Sequence, residues 1–519
     1  MERFNLRITI DYIWNFLLGI LIISGILELI LFPSLDNIVG TVVSIISFIL
    51  YGRYVFRYDI MRGRPISFIA FSALILFMYL PLPITLLDGN EVSHHLYCPK
   101  TTYLLQLVYF ICCIIAFNIA GRYSRNHHGV RVFLKKLGYF STPSLLQLWV
   151  LGLIGWLFKY FLLSSQFTEE SINQAGKGTL SIFATLIYAP LLIMFYPLIG
   201  GKPVYRSHQF YVIFYLSAMM ILLIATNSRN QVIAPLFMVL ICFIIMCIYN
   251  RQLKLSVKHV ALSILLLFII VGPLSDLAFA MLIARSQRNN TEFTTLLKTT
   301  LDIYSDKERL YKLKSIADNE EQESEYVYTT DWNEYYVSSI FLNRVCNYRV
   351  IDASIYHAQR AGMPNKVMFD DFLLHLMIIF PQPVVDLLFG HIDKTKYAYS
   401  PQDKLYEVSS NGALHASYKV GGDVGLALSI FGILAFPILI IVYMLEFILF
   451  DNLVYRRRRG VVFSFLTLIC IYSTYFMKFA VGGGFISHVN FLLWGFPFNL
   501  VLLLIVYNVV KRILPSVTE

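Results

Sequence analysis

A histidine and an aspartate stand just before a long apolar run late in the chain. His415 and Tyr418 precede Asp423, and the apolar run begins at Val424. Histidine is the side chain whose ordinary pKa lies nearest neutrality, so His415 has the properties of a general base. The alternatives are a loop histidine with no chemical role and, for Asp423, a residue that caps the following helix.

A second group of polar residues includes two arginines. At 100° per residue, Asn343, Arg344 and Asn347 share one face of a helix, whereas Arg349 lies about 140° from Arg344. We therefore predict that Arg344 faces a cavity and that Arg349 does not. The alternative is a solvated helix on which Arg349 pairs with Asp352, a contact worth only tenths of a kcal/mol.

A third candidate is Arg229, in the short polar sequence Asn227-Ser228-Arg229 between two long apolar runs. An arginine at a membrane boundary can snorkel to lipid head groups, which is the alternative to a functional role. The choice between the two depends on which side of a membrane the residue lies, and therefore on how the apolar runs are arranged.

These residues belong to a chain of 519 residues that is 57% hydrophobic and only 14% charged. Soluble domains have about 25% charged residues, so a soluble globule is excluded. The apolar runs are near the length of a membrane-spanning helix and do not alternate, which excludes a transmembrane barrel. The sequence predicts an all-α polytopic membrane protein with twelve spans, near 10–32, 38–56, 66–86, 101–121, 142–164, 178–199, 209–226, 230–249, 257–284, 424–450, 460–479 and 486–510.

Basic residues assign a side to each connection, because Lys and Arg are retained on the cytoplasmic side. One alternate set of connections, with both termini, holds 22 of them, whereas the short connections of the other set hold only Lys100, Lys177 and Arg229. Both termini are therefore predicted to be cytoplasmic. Arg229 lies on the side where basic residues are scarce, which favours a functional role. The net charge of +10 has the same topological origin and does not indicate nucleic-acid binding.

One long hydrophilic segment divides the predicted helices into nine and three. We predict helices one to nine in 1–284, a large external loop domain in 285–423 and helices ten to twelve in 424–519. Within the loop, residues 367–390 are apolar but interrupted by Asp370, Asp371 and two prolines, so an amphipathic element at the outer interface fits better than a span. The two aspartates are expected on its wet face, and neither a metal nor a cofactor is expected.

Three segments together resemble the bacterial oligosaccharide repeat unit polymerases, the O-antigen polymerase family, which is related to the O-antigen ligases. Ser228-Arg229-Asn230, opening a long apolar helix, is similar to the Ser/Thr-Arg element of the family, and Phe341-Leu342-Asn343-Arg344 is similar to the arginine element of its large external loop. The stretch from Ser417-Tyr418 to Gly432 is similar to the post-loop segment. His415-x-x-Tyr418 resembles the His-Asn-x-Tyr of the ligases, although Ala416 replaces the Asn.

The resemblance implies a metal-independent glycosyltransferase of the GT-C type in the bacterial inner membrane, which polymerises polyprenyl-diphosphate-linked oligosaccharide repeat units into lipopolysaccharide or capsule. Breaking a sugar–diphosphate bond leaves an anion that the planar guanidinium of Arg229 or Arg344 can neutralise. His415 would accept the proton of the acceptor hydroxyl. Contacts to the diphosphate or sugars are expected from Arg349, Asn343, Asn347, Tyr418 and Asp423. The implied partners are the lipid-linked oligosaccharide and membrane lipids, with a chain-length regulator and a flippase.

Three other functions are alternatives to polymerisation. A polyprenyl-linked oligosaccharide flippase or other transporter would place charges deep within its spans, show two similar halves and need no large external domain. Here no internal repeat is found, and the few charges inside spans, such as Glu28, Lys159 and Lys478, lie near predicted span ends. An O-antigen ligase would perform the same chemistry on a lipid A core acceptor, and a structural membrane scaffold is the third possibility.

Overall fold

The fold is almost entirely helical. The computed structural model describes residues 6–164, 180–225, 228–249, 272–284, 293–312, 336–337, 342–410, 412, 419–457, 460–480 and 484–515. The helices in the first part of the chain are α1 Leu6–Leu31, α2 Leu35–Tyr54, α3 Tyr58–Gly63, α4 Pro65–Tyr79, α5 Pro81–Leu87, α6 Pro99–Asn126, α7 Gly129–Lys136, α8 Leu145–Ser164, a 3₁₀ helix Thr185–Ile199, α9 Arg206–Ala225, α10 Arg229–Tyr249, α11 Pro273–Ala284 and α12 Phe293–Ser305.

The later part of the chain has shorter helices followed by long ones. They are α13 Asn343–Cys346, α14 Tyr348–Ala361, α15 Lys366–Ile378, α16 Gln382–Phe389, a 3₁₀ turn Lys394–Tyr397, α17 Pro401–Ser409, α18 Asp423–Phe431, a 3₁₀ turn Gly432–Leu434, α19 Ala435–Asn452, α20 Phe465–Ile469, a π-helix Ile471–Phe476, α21 Met477–Ala480, α22 Phe485–Asn490, a π-helix Phe491–Gly495 and α23 Phe496–Ile513. Strands β1 Val454–Arg457 and β2 Gly460–Phe463 form one antiparallel hairpin.

Within the described ranges, nine helices are long and apolar enough to cross a membrane. They are Ile10–Leu31, Leu35–Tyr54, Pro99–Asn126, Leu145–Leu163, Leu180–Ile199, Arg206–Ile224, Asn230–Tyr249, Asp423–Asn452 and Phe485–Ile513. Each matches a predicted span. The chain is therefore an all-α, multi-pass membrane protein, as the composition predicts.

Of the three other predicted spans, two differ from a simple helix and one lies largely outside the described residues. The span near 66–86 is α4 and α5, bent by 42° where Pro81 removes a backbone N–H. The span near 257–284 lies largely outside the described residues, which include only 272–284 of it, with the helix Pro273–Ala284. The span near 460–479 begins as β2 and continues as short α and π pieces, so it is not one regular apolar helix. Twelve spans thus stay a prediction.

The chain forms two compact units. The first comprises Met1–His127, Glu321–Asp451 and Tyr475–Phe496, and the second comprises His128–Glu320, Asn452–Thr474 and Pro497–Glu519. The predicted division into 1–284, 285–423 and 424–519 concerns the two sides of a membrane, and it stays a prediction. In the first unit, α4, α6 and α19 are joined by packed aromatic rings and by a buried ion pair between Arg64 and Asp451, whose Nε and Oδ2 are 2.7 Å apart.

The described end of the hydrophilic segment, 342–410, packs directly on long helices of the first unit. α14 crosses α18 so closely that a Cβ at Gly425 would lie 2.4 Å from the backbone of Ser354. α15 and α17 also contact α18. α15 therefore belongs to this packed layer, whereas α16 leaves Leu387 and Leu388 exposed, as an interfacial element would.

Candidate functional site

Asp423 is the first residue of α18. Gly422, with extended backbone angles, occupies the N-cap position and no side chain caps the helix, so the expectation that Asp423 is a cap is wrong. The carboxylate turns toward neighbouring helices instead. Its Oδ2 accepts hydrogen bonds from the hydroxyls of Tyr109 and Tyr443, both at 2.9 Å, and the side chain is only 8% exposed.

His488 connects Asp423 to a second carboxylate. Its Nε2 lies 3.3 Å from Asp423 Oδ2, and its Nδ1 lies 2.8 Å from Glu446 Oε2. His488 and Glu446 are both fully buried. Because an ionised carboxylate can only accept a hydrogen bond, this arrangement favours a ring that carries a proton on each nitrogen. We call these five residues the Asp423 cluster: Tyr109, Asp423, Tyr443, Glu446 and His488.

Lys478 balances the charge of the cluster. Its Nζ donates to the carbonyl of Ser487 at 2.8 Å, and it interacts electrostatically with Glu446 and Asp423. Two carboxylates are thus accompanied by an imidazolium and an ammonium. Buried charges persist in proteins when they are paired and hydrogen-bonded in this way. The cluster is therefore a stable feature of the first unit.

Two oxygen atoms in the cluster remain available. Among the described residues, neither Asp423 Oδ1 nor Glu446 Oε1 has a hydrogen-bond partner, although both atoms are buried. Leaving a buried polar atom unsatisfied costs about 1–3 kcal/mol, and more for a charged group. A donor that approaches Asp423 Oδ1 would recover that free energy.

Asn343 and Asn347, two residues predicted to contact the substrate, accept hydrogen bonds from backbone amides. α13 ends at Cys346, and Asn347 has a non-helical ψ of 90°. The single helix expected through these residues is thus interrupted at Asn347, and a face shared by Asn343, Arg344 and Asn347 stays a prediction. Asn347 caps α14 by accepting a hydrogen bond from the Val350 amide, and Asn343 accepts from the amides of Tyr336 and Val337. The structure describes only the backbone of Arg344.

Arg349 and Asp352 lie at the junction between α14 and α6. Both are fully buried, so the alternative of a solvated pair is wrong. Asp352 accepts hydrogen bonds from the amides of Tyr97 and Cys98, at 2.5 and 3.0 Å, and thereby holds the chain just before α6. Burial raises the pKa of Asp352, and these hydrogen bonds oppose the shift. Burial also raises the pKa of Tyr97, while Arg349 opposes it, which places the guanidinium beside that phenol.

Arg229 opens α10, in the second unit, as the sequence predicts, although its side chain is outside the description. The neighbouring residues make the start of this helix polar. Asn230 accepts a hydrogen bond from the Tyr472 hydroxyl at 3.2 Å, and Gln231 accepts one from Lys159 of α8. His415 and Tyr418 lie outside the described residues, so their roles stay predictions.

An apolar groove lies between α8 and α9 of the second unit. It has a volume of about 790 Å³ and is lined mainly by aromatic residues. They include Trp149, Trp156, Tyr160, Tyr211 and Phe214. Tyr160 is adjacent in sequence to Lys159, which contacts the start of α10, so one end of the groove is close to the helix that Arg229 begins.

The aspartates of the apolar stretch have separate environments. Asp370 is exposed, as predicted, but Asp371 is buried and accepts a hydrogen bond from the Tyr399 hydroxyl at 2.6 Å. The expectation of a wet face is thus wrong for Asp371. Throughout the described part of the chain, no group of three or more His, Cys, Asp or Glu residues could hold a metal ion.

Sequence reasoning missed most of the Asp423 cluster. Glu446 is the one Asp, Glu, Lys, Arg or His residue in the apolar run 424–450, and His488 is the one such residue in the run 485–510. A solitary ionisable residue inside a span is itself a signal of function. That signal would have identified both residues, whereas Tyr109 and Tyr443 have no distinguishing feature in the sequence.

No family model, curated protein or solved structure matches this chain. The class of the protein therefore follows from the fold and the site alone. It is an all-α multi-pass membrane protein with a charge-balanced cluster buried among its helices. The family resemblance of the sequence consequently depends on the three short segments alone.

Proposed function

We propose that this protein joins polyprenyl-diphosphate-linked oligosaccharide repeat units into a surface polysaccharide, by glycosyl transfer without a metal at the external face of a bacterial inner membrane. The observation that carries the proposal is the packing of α14, α15 and α17 on α18. The predicted external segment and the start of a membrane span thereby form one compact unit around Asp423. Such packing would hold a saccharide-binding segment next to the membrane, where a lipid-linked substrate is presented.

The predicted residues would have different roles in glycosyl transfer. The leaving group is a diphosphate, and Arg229 and Arg344 are the candidates to neutralise it through bidentate hydrogen bonds. The acceptor hydroxyl needs a base, for which His415 is the candidate from the sequence. Asn343, Asn347, Arg349 and Asp352 hold the loop segment in place, so we assign the first three an indirect role in shaping the site.

The groove between α8 and α9 supports a lipid-linked substrate. Its aromatic lining suits an isoprenoid chain, and its Tyr160 end is near Lys159 and the start of α10. A polyprenyl tail in this groove would bring its diphosphate toward Lys159 and Arg229, whose positive charges complement it.

Reconstitution tests the proposal directly. The purified protein in nanodiscs is given a polyprenyl-diphosphate-linked oligosaccharide, and the products are separated by size. We expect a ladder of polymers that persists in the presence of EDTA. A single transfer that occurs only when a lipid A core acceptor is added would indicate a ligase. Absence of any transfer, with the same lipid preparation serving another polymerase, would contradict the proposal.

The Asp423 cluster favours a second candidate, a proton-coupled flippase or transporter. Glu446 and His488 are fully buried inside the spans Asp423–Asn452 and Phe485–Ile513, and such residues commonly form proton pathways. Besides Glu28, Lys159 and Lys478, which lie near the ends of predicted spans, these two residues add buried ionisable groups to the spans. In sealed vesicles, movement of the lipid-linked oligosaccharide that depends on a pH gradient, without polymer formation, would select this candidate.

A further inference from the structure

We infer that Asp423 accepts the proton of the attacking sugar hydroxyl, and that His488 and Glu446 are positioning residues for its carboxylate. The inference rests on the proposed function and deepens it, because it assigns the general base to a residue other than His415. It is carried by the geometry of the Asp423 cluster rather than by any single contact.

Three groups hold one oxygen of the carboxylate. Oδ2 accepts hydrogen bonds from the hydroxyls of Tyr109 and Tyr443 and forms an ion-pair contact of 3.3 Å with Nε2 of His488. These groups come from α6, α19 and α22, three separate helices. A carboxylate held from three directions cannot rotate freely, so its other oxygen points in a defined direction. Such pre-organisation is what a general base requires.

The second oxygen of the carboxylate, Oδ1, can accept a hydrogen bond from a substrate. Asp423 Oδ1 has no hydrogen-bond partner among the described residues, although the side chain is more than nine-tenths buried. A buried carboxylate oxygen without a donor is costly, so the site is built for a donor that arrives from outside the chain. A sugar hydroxyl is such a donor. The position suits an acceptor, because Asp423 begins a span at the end of the predicted external segment.

His488 and Glu446 explain why the carboxylate keeps this orientation. Glu446 faces Nδ1 of the ring at 2.8 Å, which sets the ring plane and leaves Nε2 directed at Asp423. The ring is also enclosed edge-to-face by Tyr443 and Phe479, with centroid distances of 4.8 and 5.2 Å. His488 has no remaining nitrogen for a substrate. It therefore acts through Asp423.

The proposed step transfers the donor sugar to the acceptor hydroxyl. The acceptor oxygen forms a bond to the anomeric carbon of the donor sugar while the bond from that carbon to the diphosphate oxygen breaks. The diphosphate leaves with the electron pair. The hydroxyl proton passes to Asp423 Oδ1, which becomes a neutral carboxylic acid. The acid then returns this proton to water at the external face, and the carboxylate is restored for the next turnover.

The decisive variant is Asp423→Asn, which keeps the size of the side chain and removes its basicity. We expect turnover to fall by about 10²-fold or more, with binding of the lipid-linked donor unchanged. Asp370→Asn is the matched control, since Asp370 is an exposed carboxylate on α15, and it should keep wild-type turnover. Turnover near the wild-type value in Asp423→Asn would overturn the inference.

Chemical rescue separates a base from a structural carboxylate. In Asp423→Ala, added formate should restore part of the turnover, because it can occupy the vacated space and accept the proton. Where the Asn and Ala variants do not fold, Asp423→Glu retains the charge but displaces the oxygens, and it should lower kcat without raising KM. Folded Asp423→Ala that does not respond to formate would count against the role.

The positioning residues need a different readout. Glu446→Gln retains a hydrogen-bonding group opposite the ring, and we expect lower kcat, unchanged KM for the donor, an unchanged melting temperature and no response to formate. A loss of melting temperature in parallel with kcat would make Glu446 merely structural. If His415→Ala loses turnover and Asp423→Asn keeps it, the base is His415. If the wild type makes no polymer, the proposed function fails instead.

Discussion

Polar residues in the first unit act in two ways. Asn343, Asn347 and Asp352 accept hydrogen bonds from backbone amides, and so fix where loop and helix segments begin. Asp423 accepts hydrogen bonds only from side chains, and it retains an oxygen without a partner among the described residues. The first kind of residue determines stability, whereas the second kind can interact with a substrate.

Arg229 provides the sharpest test of the diphosphate assignment. Arg229→Ala should abolish polymer formation and leave expression and melting temperature intact, because the expected partner is the substrate. Arg229→Lys should restore activity poorly, since an ammonium lacks the bidentate fork. Arg344→Ala should behave in the same way. Polymer length is measured on gels, with Arg309→Ala, an exposed arginine of the predicted external segment, as the control. Full-length polymer in Arg229→Ala would return this residue to the snorkelling interpretation.

The buried side chain of His357 should make the free energy of unfolding depend on pH. It is buried in α14, and its Nδ1 lies 2.6 Å from the Ser409 hydroxyl. Burial, together with the charges of Arg360 and Lys419, lowers the pKa of His357 to about 4. Since an unfolded histidine titrates near pH ~6.5, the unfolded state binds more protons between these values, and the folded state loses stability as pH falls.

The expected loss between pH 7.5 and pH 5 is about 2 kcal/mol of unfolding free energy. It is measured by thermal or denaturant unfolding in detergent at both pH values. His357→Gln can still hydrogen-bond Ser409 but does not titrate, so its stability should fall less over the same interval. An equal fall in wild type and variant would show that other groups cause the pH dependence.

At the scale of helices and strands, the length and composition of each apolar run are sufficient to predict most of the membrane-spanning helices. An apolar run of about 20 residues must form its hydrogen bonds internally, so length and composition predict the helix. The same information did not predict how a run is interrupted. Pro81 bends one span, and the run near 460–479 begins as a β-hairpin strand and contains a π-helix, because packing and turns override the apolar signal there.

The candidate site was less predictable than the helices. Asp423 and Arg229 were placed correctly at helix starts, because such positions follow from sequence order. In the Asp423 cluster, Tyr109 contacts residues that lie more than 300 positions later in the sequence. Asp423 itself is 314 positions from Tyr109. The periodicity of a sequence does not predict a contact between residues so far apart. Only tertiary packing brings the residues together.

α16 has the exposed apolar residues of an element at the membrane interface. Its Leu387 and Leu388 are 83% and 60% exposed, while Val385 of the same helix is buried. Exposed leucines of this kind are stable when they enter the head-group region. In Leu388→Trp, we therefore expect stronger quenching of fluorescence by brominated lipids than in the wild type. Asp370→Trp, at an exposed position of α15, is the control. Equal quenching in the two variants would argue against an interfacial α16.

For the molecule as a whole, the buried charges and the surface charges obey different constraints. Several buried charges of the first unit lie in groups of opposite sign: Asp423 and Glu446 accompany His488 and Lys478, and Asp451 pairs with Arg64. The connections of one alternate set contain 22 basic residues, and we interpret the net charge of +10 as a consequence of the predicted orientation in the membrane. The buried groups therefore concern the site, whereas the charges of the connections concern the topology.

The topology prediction is the one on which an external active site depends. Because 22 basic residues lie in one alternate set of connections and 3 in the short connections of the other, the positive-inside rule places 285–423 outside and both termini inside. A phosphatase fusion after Leu313 should be active, and a fluorescent protein fused after Arg457 should fluoresce. The exchanged pair of reporters is the control and should give no signal. Phosphatase that is inactive after Leu313, with a fluorescent protein that is bright there, would place the segment in the cytoplasm. Asp423, at the end of that segment, could then not receive an acceptor from outside, and both the proposed polymerisation and its general base would have to be abandoned.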